Sequence, residues 1–217
     1  MSDKIMPDYQ EIVKKKAFSL FIIRCFDFCI ALSGILFLLL PFCLIALAIK
    51  CDSKGEVFFR QVRVGRNGKN FRIYKFRTMV KDAEKKGLQL STTTDSRITK
   101  VGKILRKTKC DELPQLFNVL AGQMSFVGPR PEVPKYVEMY SEEQKNVLLI
   151  RPGITDEASI LYRNENDVLE KSDDPEKTYI EEVMPDKLRI NLEYLTKIGL
   201  FYNVKLIFKT IFAVIKE

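Results

Sequence analysis

Residues 28–49 read FCIALSGILFLLLPFCLIALAI, and this stretch decides what kind of fold the 217-residue chain adopts. Nineteen of these 22 residues are apolar, and the exceptions are Ser33, Gly34 and Pro41. A straight helix of this length reaches about 33 Å, enough to cross a hydrocarbon core of about 30 Å. The stretch therefore predicts a membrane anchor. A cleaved signal peptide fits less well, because no small-x-small cleavage site precedes Lys50.

Positive charge lies on both sides of this stretch. Lysines at 14–16 and Arg24 precede it, and six Lys and Arg residues follow it between positions 50 and 69. Because positive flanks favour the cytoplasmic side of a membrane, both ends are drawn to the same side. Pro41 removes one helical hydrogen bond and is expected to bend the helix. The sequence thus predicts a re-entrant helix bent at Pro41, with a spanning helix as the alternative.

Two further features belong to the membrane edge. Asp27 is costly there unless it is paired, and Arg24, one helical turn earlier, is the expected partner. Near the C-terminus, Lys205, Lys209 and Lys216 alternate with apolar residues at helical spacing, at positions 204, 207, 208, 211, 212 and 215. This pattern predicts an amphipathic helix. Such a helix either lies in the membrane interface or covers the core of the domain.

The composition limits the chemistry that is open to the chain. It contains no histidine, and its five cysteines show no paired metal-binding spacing, so imidazole catalysis and an ordinary zinc site are excluded. Covalent chemistry must then rest on carboxylates, thiols, hydroxyls or lysines. Residues 50–110 hold 18 Lys and Arg against 5 Asp and Glu. This excess indicates a polyanionic partner such as lipid head groups, nucleotide phosphates or nucleic acid.

The remaining pattern predicts a helix-rich α+β protein. Runs rich in Val, Phe and Tyr at 56–64 and 70–76 flank Gly65-Arg66-Asn67-Gly68, which predicts a β-hairpin. Residues 100–107 form a short basic helix in this interpretation. We therefore expect an N-terminal segment and re-entrant helix at 1–50. A small cytoplasmic domain, with the hairpin and amphipathic interfacial helices, is expected at 51–217.

The segment that points most clearly to chemistry is CDELPQLFNVL at residues 110–120, followed by MSFVGPRP at 124–131. By itself, Asp111-Glu112 before a helix also fits an N-cap and the helix dipole, with Pro114 in the first turn. Together with FRIYKFRTM at 71–79 and RPGIT at 151–155, however, these segments closely resemble the bacterial sugar transferases called monotopic phosphoglycosyl transferases.

The resemblance implies a reaction and a place in the cell. Family members transfer a sugar 1-phosphate from a nucleotide diphosphate sugar, here expected to be a UDP-sugar, to undecaprenyl phosphate and release UMP. This is the first membrane step of surface glycan assembly. It places the chain in the bacterial inner membrane through a re-entrant helix, with its catalytic domain on the cytoplasmic face. The expected partners are the nucleotide-sugar donor, the polyprenyl phosphate acceptor and membrane phospholipid, without nucleic acid. The oligomeric state stays open, with a homodimer as one option.

The resemblance also assigns roles to residues. Asp111 would be the nucleophile that forms an aspartyl-phosphosugar intermediate, and Glu112 would hold Mg²⁺. The basic residues at matching positions would bind substrate phosphates. They are Lys75, Arg77, Arg106, Arg130, Arg151 and Arg163.

The chain departs from the family at two places. Leu40 precedes Pro41, where members often carry serine. After Arg163 the chain is longer, so residues 156–190 resemble an acidic insertion, with 11 acidic and three basic residues between 156 and 186. We expect this segment to be a solvated surface excursion, and an acidic lid over the nucleotide site is the alternative.

Two other functional classes compete with the enzyme. A non-catalytic peripheral membrane module would use the basic block only to bind anionic lipid, and leaves Asp111-Glu112 and the GPRP segment unexplained. A membrane-tethered nucleic-acid binder would need more than basic charge, and no helix-turn-helix, zinc-finger or RNA-recognition signature is present in the sequence.

Overall fold

A computed structural model of the chain describes residues 7–81, 83, 95–170 and 172–215. The protein is α+β and rich in helices, as predicted. In chain order its elements are α1 (Tyr9–Lys15), α2 (Ala17–Phe37), α3 (Leu39–Asp52), β1 (Phe58–Val64), β2 (Asn70–Phe76), α4 (Lys100–Lys107), α5 (Gln115–Leu120), β3 (Ser125–Val127), α6 (Pro134–Val137), β4 (Gly153–Thr155), α7 (Glu157–Leu161), α8 (Glu165–Glu170), α9 (Pro175–Thr178), α10 (Met184–Lys197) and α11 (Leu200–Ile215).

The apolar stretch forms two helices, α2 and α3, which are separated at Leu38. Pro41 lies in the first turn of α3. Because proline has no N–H, the carbonyl of Phe37 receives no helical hydrogen bond from it, and the helix is interrupted just upstream. The interruption therefore lies three residues before the predicted bend at Pro41. In the described part of the chain, α2 is the one helix that is long and apolar enough to cross a membrane.

Both ends of the α2–α3 pair are attached to the rest of the protein. Arg24 in α2 donates to the carbonyls of Val119 and Leu120, at 2.6 and 2.9 Å. Asp52, the last residue of α3, accepts from the amide of Val101 at 2.9 Å. The side chains around the interruption are exposed instead, at 59–83%: Leu36, Phe37, Leu39 and Leu40. Residues between these two contacts also pack on the body, among them Ala31 and Phe42, so the helix pair lies along it. The four exposed side chains at 36, 37, 39 and 40 form an apolar tip that faces away from the body.

The predicted ion pair between Arg24 and Asp27 is wrong. The Arg24 guanidinium is directed to the two carbonyls at the end of α5. Asp27, only 2% exposed, accepts from the amide of Phe126 at 3.4 Å. Both side chains therefore contact residues of the globular domain and not each other. Helical spacing considers only neighbours on the same helix, so it does not predict these contacts.

The predicted β-hairpin is confirmed. β1 and β2 pair antiparallel from Phe58↔Phe76 to Val64↔Asn70. In the turn, Asn67 and Gly68 have φ of 56° and 72°, the left-handed backbone for which Asn-Gly is favoured. The buried side of the hairpin packs against α2, α3, α4 and α5 in one apolar cluster, whose buried members include Phe42, Ile49, Ile73, Phe76, Leu105, Leu116 and Val119.

A second apolar cluster lies in the C-terminal half, and it corrects the interpretation of the acidic segment. Tyr179, Val183 and Met184 are buried in it, at 3–4% exposure, with several residues of α10. The expectation of a solvated surface excursion is therefore wrong. Apolar residues are interspersed among the acids, so the former pack inward while Glu181 and Glu182 remain exposed.

A short parallel pair, β3–β4, was not predicted. Ser125 pairs with Gly153 and Val127 with Thr155. The two strands approach closely, because a Cβ on Gly153 would lie 2.1 Å from the backbone nitrogen of Gly128. This contact fixes the backbone just before the Pro129-Arg130-Pro131 loop.

The C-terminal amphipathic helix is confirmed as α11, and its exposed residues include apolar ones beside Lys205 and Lys209. Asn203 and Leu206 are buried, at 4% and 1% exposure, so the helix packs on the core through a side that only partly overlaps the predicted apolar stripe. From that stripe, Phe208, Ile211 and Phe212 stay 47–63% exposed. The side chain of residue 215 and residue 216 lie outside the described part of the chain.

Candidate active site

The two acidic residues lie in a single 3₁₀ turn, Cys110–Glu112, between α4 and α5. Lys109 precedes the turn with φ of 55°, a left-handed conformation that reverses the chain after α4. Pro114 then stands directly before Gln115, the first residue of α5. The turn brings both carboxylates to one end of the helix, which would not happen on a regular helix, where neighbouring side chains diverge by about 100°.

Glu112 is held by two cations. Its Oε1 accepts from Lys75 Nζ at 2.6 Å and from an Arg130 terminal nitrogen at 2.5 Å. Its Oε2 has a longer contact of 3.4 Å to the other terminal nitrogen of Arg130. Burial by itself would raise the pKa of Glu112, but the charges of Arg130 and Lys75 outweigh it and keep the pKa well below its usual range. Glu112 is therefore ionised and fixed in position.

Asp111 has a different environment. Its carboxylate forms no hydrogen bond or ion pair with the side chain of another described residue. Burial, followed by the charge of Glu112, raises the pKa of Asp111, and the nearby charges of Lys75 and Arg106 counteract only part of this rise. The two adjacent carboxylates thus differ: two cations clamp Glu112, whereas Asp111 accepts from its own backbone amide but from no described side chain, and is in a less favourable environment as an anion. Such divergence marks a pair with separate chemical roles.

Arg106 is placed beside this turn by the packing of α4. The helix begins at Thr99, whose side chain caps it by accepting from the amide of Gly102 at 3.0 Å. A Cβ on Gly102 would lie 2.0 Å from the carbonyl oxygen of Thr78, so only glycine allows this approach. The helix thereby brings Arg106 within 2.9 Å of the Thr78 hydroxyl, which accepts from its Nε.

Asp156 holds the backbone of Arg130 in place, a role that the sequence did not predict. Only 1% exposed, it accepts from the backbone amide of Arg130 at 2.9 Å and from the side chain of Asn191 at 3.1 Å. It also caps α7 by accepting from the amide of Ser159 at 2.5 Å. The capping role agrees with an Asp before a short helix, but the contact with Arg130 arises only in the folded chain.

Asn118 links the acidic turn to the hairpin, and sequence reasoning missed it as well. Its Oδ1 accepts from the amide of Tyr74 at 2.9 Å, and its Nδ2 donates to the carbonyl of Arg72 and to Gln123 Oε1, each at 2.8 Å. The available signal was a lone amide in the otherwise apolar helix run 116–120. Because a fully buried amide needs partners, Asn118 fixes α5 against β2, the strand that carries Lys75.

The structure brings Lys75, Arg106, Asp111, Glu112 and Arg130 together. It does not bring the other three predicted phosphate ligands into this cluster. Their guanidinium groups donate to backbone carbonyls elsewhere: Arg77 to Lys54 and Ser53 at the end of α3, Arg151 to Gly122, and Arg163 to Ala213 in α11.

The residues present suit a magnesium ion. Mg²⁺ prefers oxygen ligands and is usually held by one or two carboxylates, with water and substrate phosphates completing its shell. The Oε2 of Glu112, whose contact with Arg130 is 3.4 Å long, is an oxygen of this kind, and Asp111 places a second carboxylate beside it. In the described part of the chain, the acidic turn included, no group of three or more acidic or cysteine side chains could hold a metal ion, so protein ligands here would number two at most.

Comparison with known proteins gives the same family as the sequence motifs. The sequence profile described as bacterial sugar transferase matches residues 18–217. A UDP-glucose:undecaprenyl-phosphate glucose-1-phosphate transferase of Escherichia coli K12 is 40% identical over 183 residues, which cover 82% of this chain and 37% of the relative. A UDP-N-acetylgalactosamine-undecaprenyl-phosphate N-acetylgalactosaminephosphotransferase of Aeromonas hydrophila is 38% identical over 173 residues, 76% of this chain and 37% of the relative.

A shorter relative also matches. A putative undecaprenyl-phosphate N-acetylgalactosaminyl 1-phosphate transferase of Bacillus subtilis 168 is 42% identical over 130 residues, which cover 60% of this chain and 73% of that protein. The chain spans just over a third of the length of the two larger relatives.

Proposed function

This chain belongs to the bacterial sugar transferase family, and from that premise we propose that it transfers a sugar 1-phosphate from a UDP-sugar to undecaprenyl phosphate. The observation that carries the proposal is the pair of carboxylates in contrasting environments, one clamped and one free, beside three cationic side chains. The named relatives act with different sugars, glucose or N-acetylgalactosamine, so the proposal extends to the reaction and not to the sugar.

The first step is a displacement at phosphorus. The Asp111 carboxylate attacks the sugar-bearing β-phosphorus, a P–O bond forms to Asp111, and the bond to the α-phosphate oxygen breaks as UMP leaves. Asp111 suits this step because its carboxylate is not held by a hydrogen bond from a described side chain, and burial removes part of its hydration. In the second step the phosphate of the lipid attacks the same phosphorus and returns the carboxylate.

The cations offset the charge of two anionic substrates. Lys75, Arg106 and Arg130 lie around the acidic turn, and guanidinium groups suit bidentate phosphate contacts. The contacts of Lys75 and Arg130 with Glu112 hold both cations beside the acidic turn. Mg²⁺ held by Glu112 would supply further positive charge at the diphosphate.

The membrane arrangement that we propose is re-entrant. A single helix crossing the bilayer would leave its two ends about 30 Å apart on opposite sides. Here Arg24 and Asp52, near the two ends, both bind the same globular body, and the exposed apolar tip lies between them at 36–40. The exposed apolar face of α11 would rest in the interface beside it. This arrangement fits attachment to the inner membrane with the catalytic domain at the cytoplasmic face.

A direct assay tests the reaction. Detergent-solubilised protein is given a panel of UDP-sugars with undecaprenyl phosphate and Mg²⁺, and UMP release is followed. Release that depends on both the donor and the lipid supports the proposal. If no sugar in the panel gives UMP above the level without protein, the proposed reaction is refuted for this panel. The non-catalytic lipid-binding module is not favoured, because it gives no role to the clamped and free carboxylates.

A further inference from the structure

A second cluster of positive charge lies away from the acidic turn. A small cavity, open to solvent, forms where α2, the hairpin turn, β3 and α11 meet. Three arginines line it, Arg24, Arg66 and Arg151, together with one acid, Asp27. Neither Asp111 nor Glu112 lines this cavity.

The arginines retain unused donors. The Nε groups of Arg66 and Arg151 donate to the carbonyls of Leu149 and Gly122, at 3.2 and 2.8 Å. Their terminal nitrogens make no hydrogen bond with any residue that the structure describes. Arg24, by contrast, uses both terminal nitrogens on carbonyls of α5. Burial, and then repulsion from Arg24 and Arg66, lowers the pKa of Arg151, so the local positive charge is not balanced within the protein.

A buried hydroxyl in the same cavity lacks a well-formed hydrogen bond. Ser125 is 6% exposed and lines the cavity beside the Asp27 carboxylate, but its Oγ makes no hydrogen bond of ordinary geometry with a described residue. Buried polar groups in folded proteins are nearly always hydrogen-bonded, so an orphan beside unused guanidinium donors points to a ligand that accepts hydrogen bonds. Asn203 lies in the same lining and accepts from Tyr194 at 2.8 Å through its Oδ1, which leaves its amide nitrogen as a further donor.

The charge and the surroundings define the ligand. Three arginines and one aspartate give a net charge of about +2, which matches a phosphate monoester at neutral pH. The cavity opens next to α2, whose Phe21 and Phe28 are 64% and 44% exposed, so an apolar chain would find a surface beside the phosphate. We propose that this cavity binds the phosphate head group of a membrane lipid, separately from the acidic turn. The inference rests on the membrane placement proposed above and not on the transfer reaction.

Two lipid sources share this chemistry. An isoprenoid phosphate is a monoester with nearly two charges, whereas an ordinary phospholipid is a diester with one. Ligand binding to the folded state raises its thermal stability, so binding is read as a rise in Tm of the full chain in neutral detergent. The probes are farnesyl phosphate, short-chain phosphatidylglycerol, and farnesol as the chain without phosphate.

The test compares variants with a charge-matched control. Arg66→Gln removes two unused donors and one charge from the cavity, and Ser125→Ala removes the orphan hydroxyl. Lys69→Gln removes one charge from the same hairpin loop but outside the cavity. We expect a rise in Tm with a lipid phosphate but not with farnesol. Arg66→Gln should weaken that binding about tenfold, as expected for a lost charge-assisted contact, while Lys69→Gln responds as the parent does.

Each outcome either supports or overturns the site. Weaker responses in Arg66→Gln and Ser125→Ala support it, and the probe that loses its response identifies a monoester or a diester. Should Arg66→Gln fold poorly, Ser125→Ala carries the test. A response that is equal in the parent and both cavity variants, or reduced as much by Lys69→Gln as by Arg66→Gln, overturns the proposal. Because the readout is binding, the test of this site gives the same result whether or not the protein transfers sugar.

Discussion

Asp111 and Glu112 are adjacent in the chain, yet the fold gives them opposite surroundings. Glu112 is held by Lys75 and Arg130, whereas Asp111 lies near Lys75 and Arg106 without a hydrogen bond from a described side chain. The distinction assigns separate tasks to the two carboxylates and makes their amide variants informative in different ways.

Replacing Asp111 with asparagine should abolish transfer. The amide keeps the shape but is no nucleophile, so turnover should fall by more than about 10⁴-fold while the fold and membrane binding survive. With donor and Mg²⁺ but no lipid acceptor, the parent should accumulate a hydroxylamine-sensitive sugar-phosphate adduct that mass spectrometry places on Asp111. Asp173→Asn, an exposed acid far along the chain, serves as the control. Near-parental turnover in Asp111→Asn would instead favour direct attack by the lipid phosphate.

Glu112→Gln should also lose most turnover, for a different reason. The amide cannot balance Lys75 and Arg130, and it is a poor ligand for Mg²⁺. Chelation with EDTA should abolish the activity of the parent, and Mg²⁺ should restore it. Glu165→Gln, which breaks a similar contact with Lys187 elsewhere, should leave turnover unchanged. Full activity in chelator would remove the metal from the mechanism and Glu112 from its role as ligand.

At the scale of the residue, the sequence identified which side chains carry charge but not where each one points. Lys75 and Arg130 meet at Glu112, whereas Arg77 turns towards the end of α3 and Arg151 towards Gly122. A long guanidinium side chain has partners on several elements within reach, and local sequence does not choose among them. The supporting contact of Asp156 with the Arg130 amide was unpredictable for the same reason.

At the scale of the element, local patterns sufficed for the hairpin and for α4, because turn residues and caps determine them. The β3–β4 pair was not predicted, because a strand of three residues is too short to show a recognisable alternation of apolar and polar side chains. The acidic composition of residues 156–190 led to the wrong prediction that the segment is a surface excursion. The apolar residues Tyr179, Val183 and Met184, which lie between the acidic ones, pack it against the core.

Asn118 offers a test of how α5 is held against β2. Replacement by leucine leaves the Tyr74 amide and the Arg72 carbonyl without this partner, which should lower the free energy of unfolding by roughly 2–4 kcal/mol. Thermal unfolding in detergent measures the change. Asn146→Leu, at a more accessible amide that binds only neighbouring carbonyls, should change stability far less. Equal effects of the two substitutions would show that Asn118 is not a specific link.

Pro41 is the testable cause of the interruption at Leu38. Leucine at this position restores the missing N–H, so α2 and α3 can join into a longer helix and some molecules should span the bilayer. Cysteine-labelling from each side of the membrane reports the distribution. An unchanged distribution would mean that the contacts of Arg24 and Asp52 with the globular domain, rather than the proline, determine the path of the helix pair.

At the scale of the whole molecule, α2, α3 and α11 carry most of the large apolar side chains that the described part of the chain exposes. If both ends of the helix pair stay on one side, tags before residue 14 and after Lys54 should both be protected from a periplasmic reagent. Labelling of the N-terminal tag alone would establish a spanning helix and refute the re-entrant arrangement. A tag at a periplasmic loop of a resident membrane protein is the positive control.

The attachment of both helix ends to one body has a consequence for biogenesis. In the re-entrant arrangement proposed above, no charged segment of the described chain would have to pass through hydrocarbon, where each charge would cost several kcal/mol. Insertion would then require only that the apolar tip at 36–40 and the apolar surface beside it enter the bilayer from the side on which the chain is synthesised. Such a protein would need no translocation channel and no membrane potential, and protein synthesised without membranes and kept soluble in mild detergent would enter preformed vesicles in a single orientation.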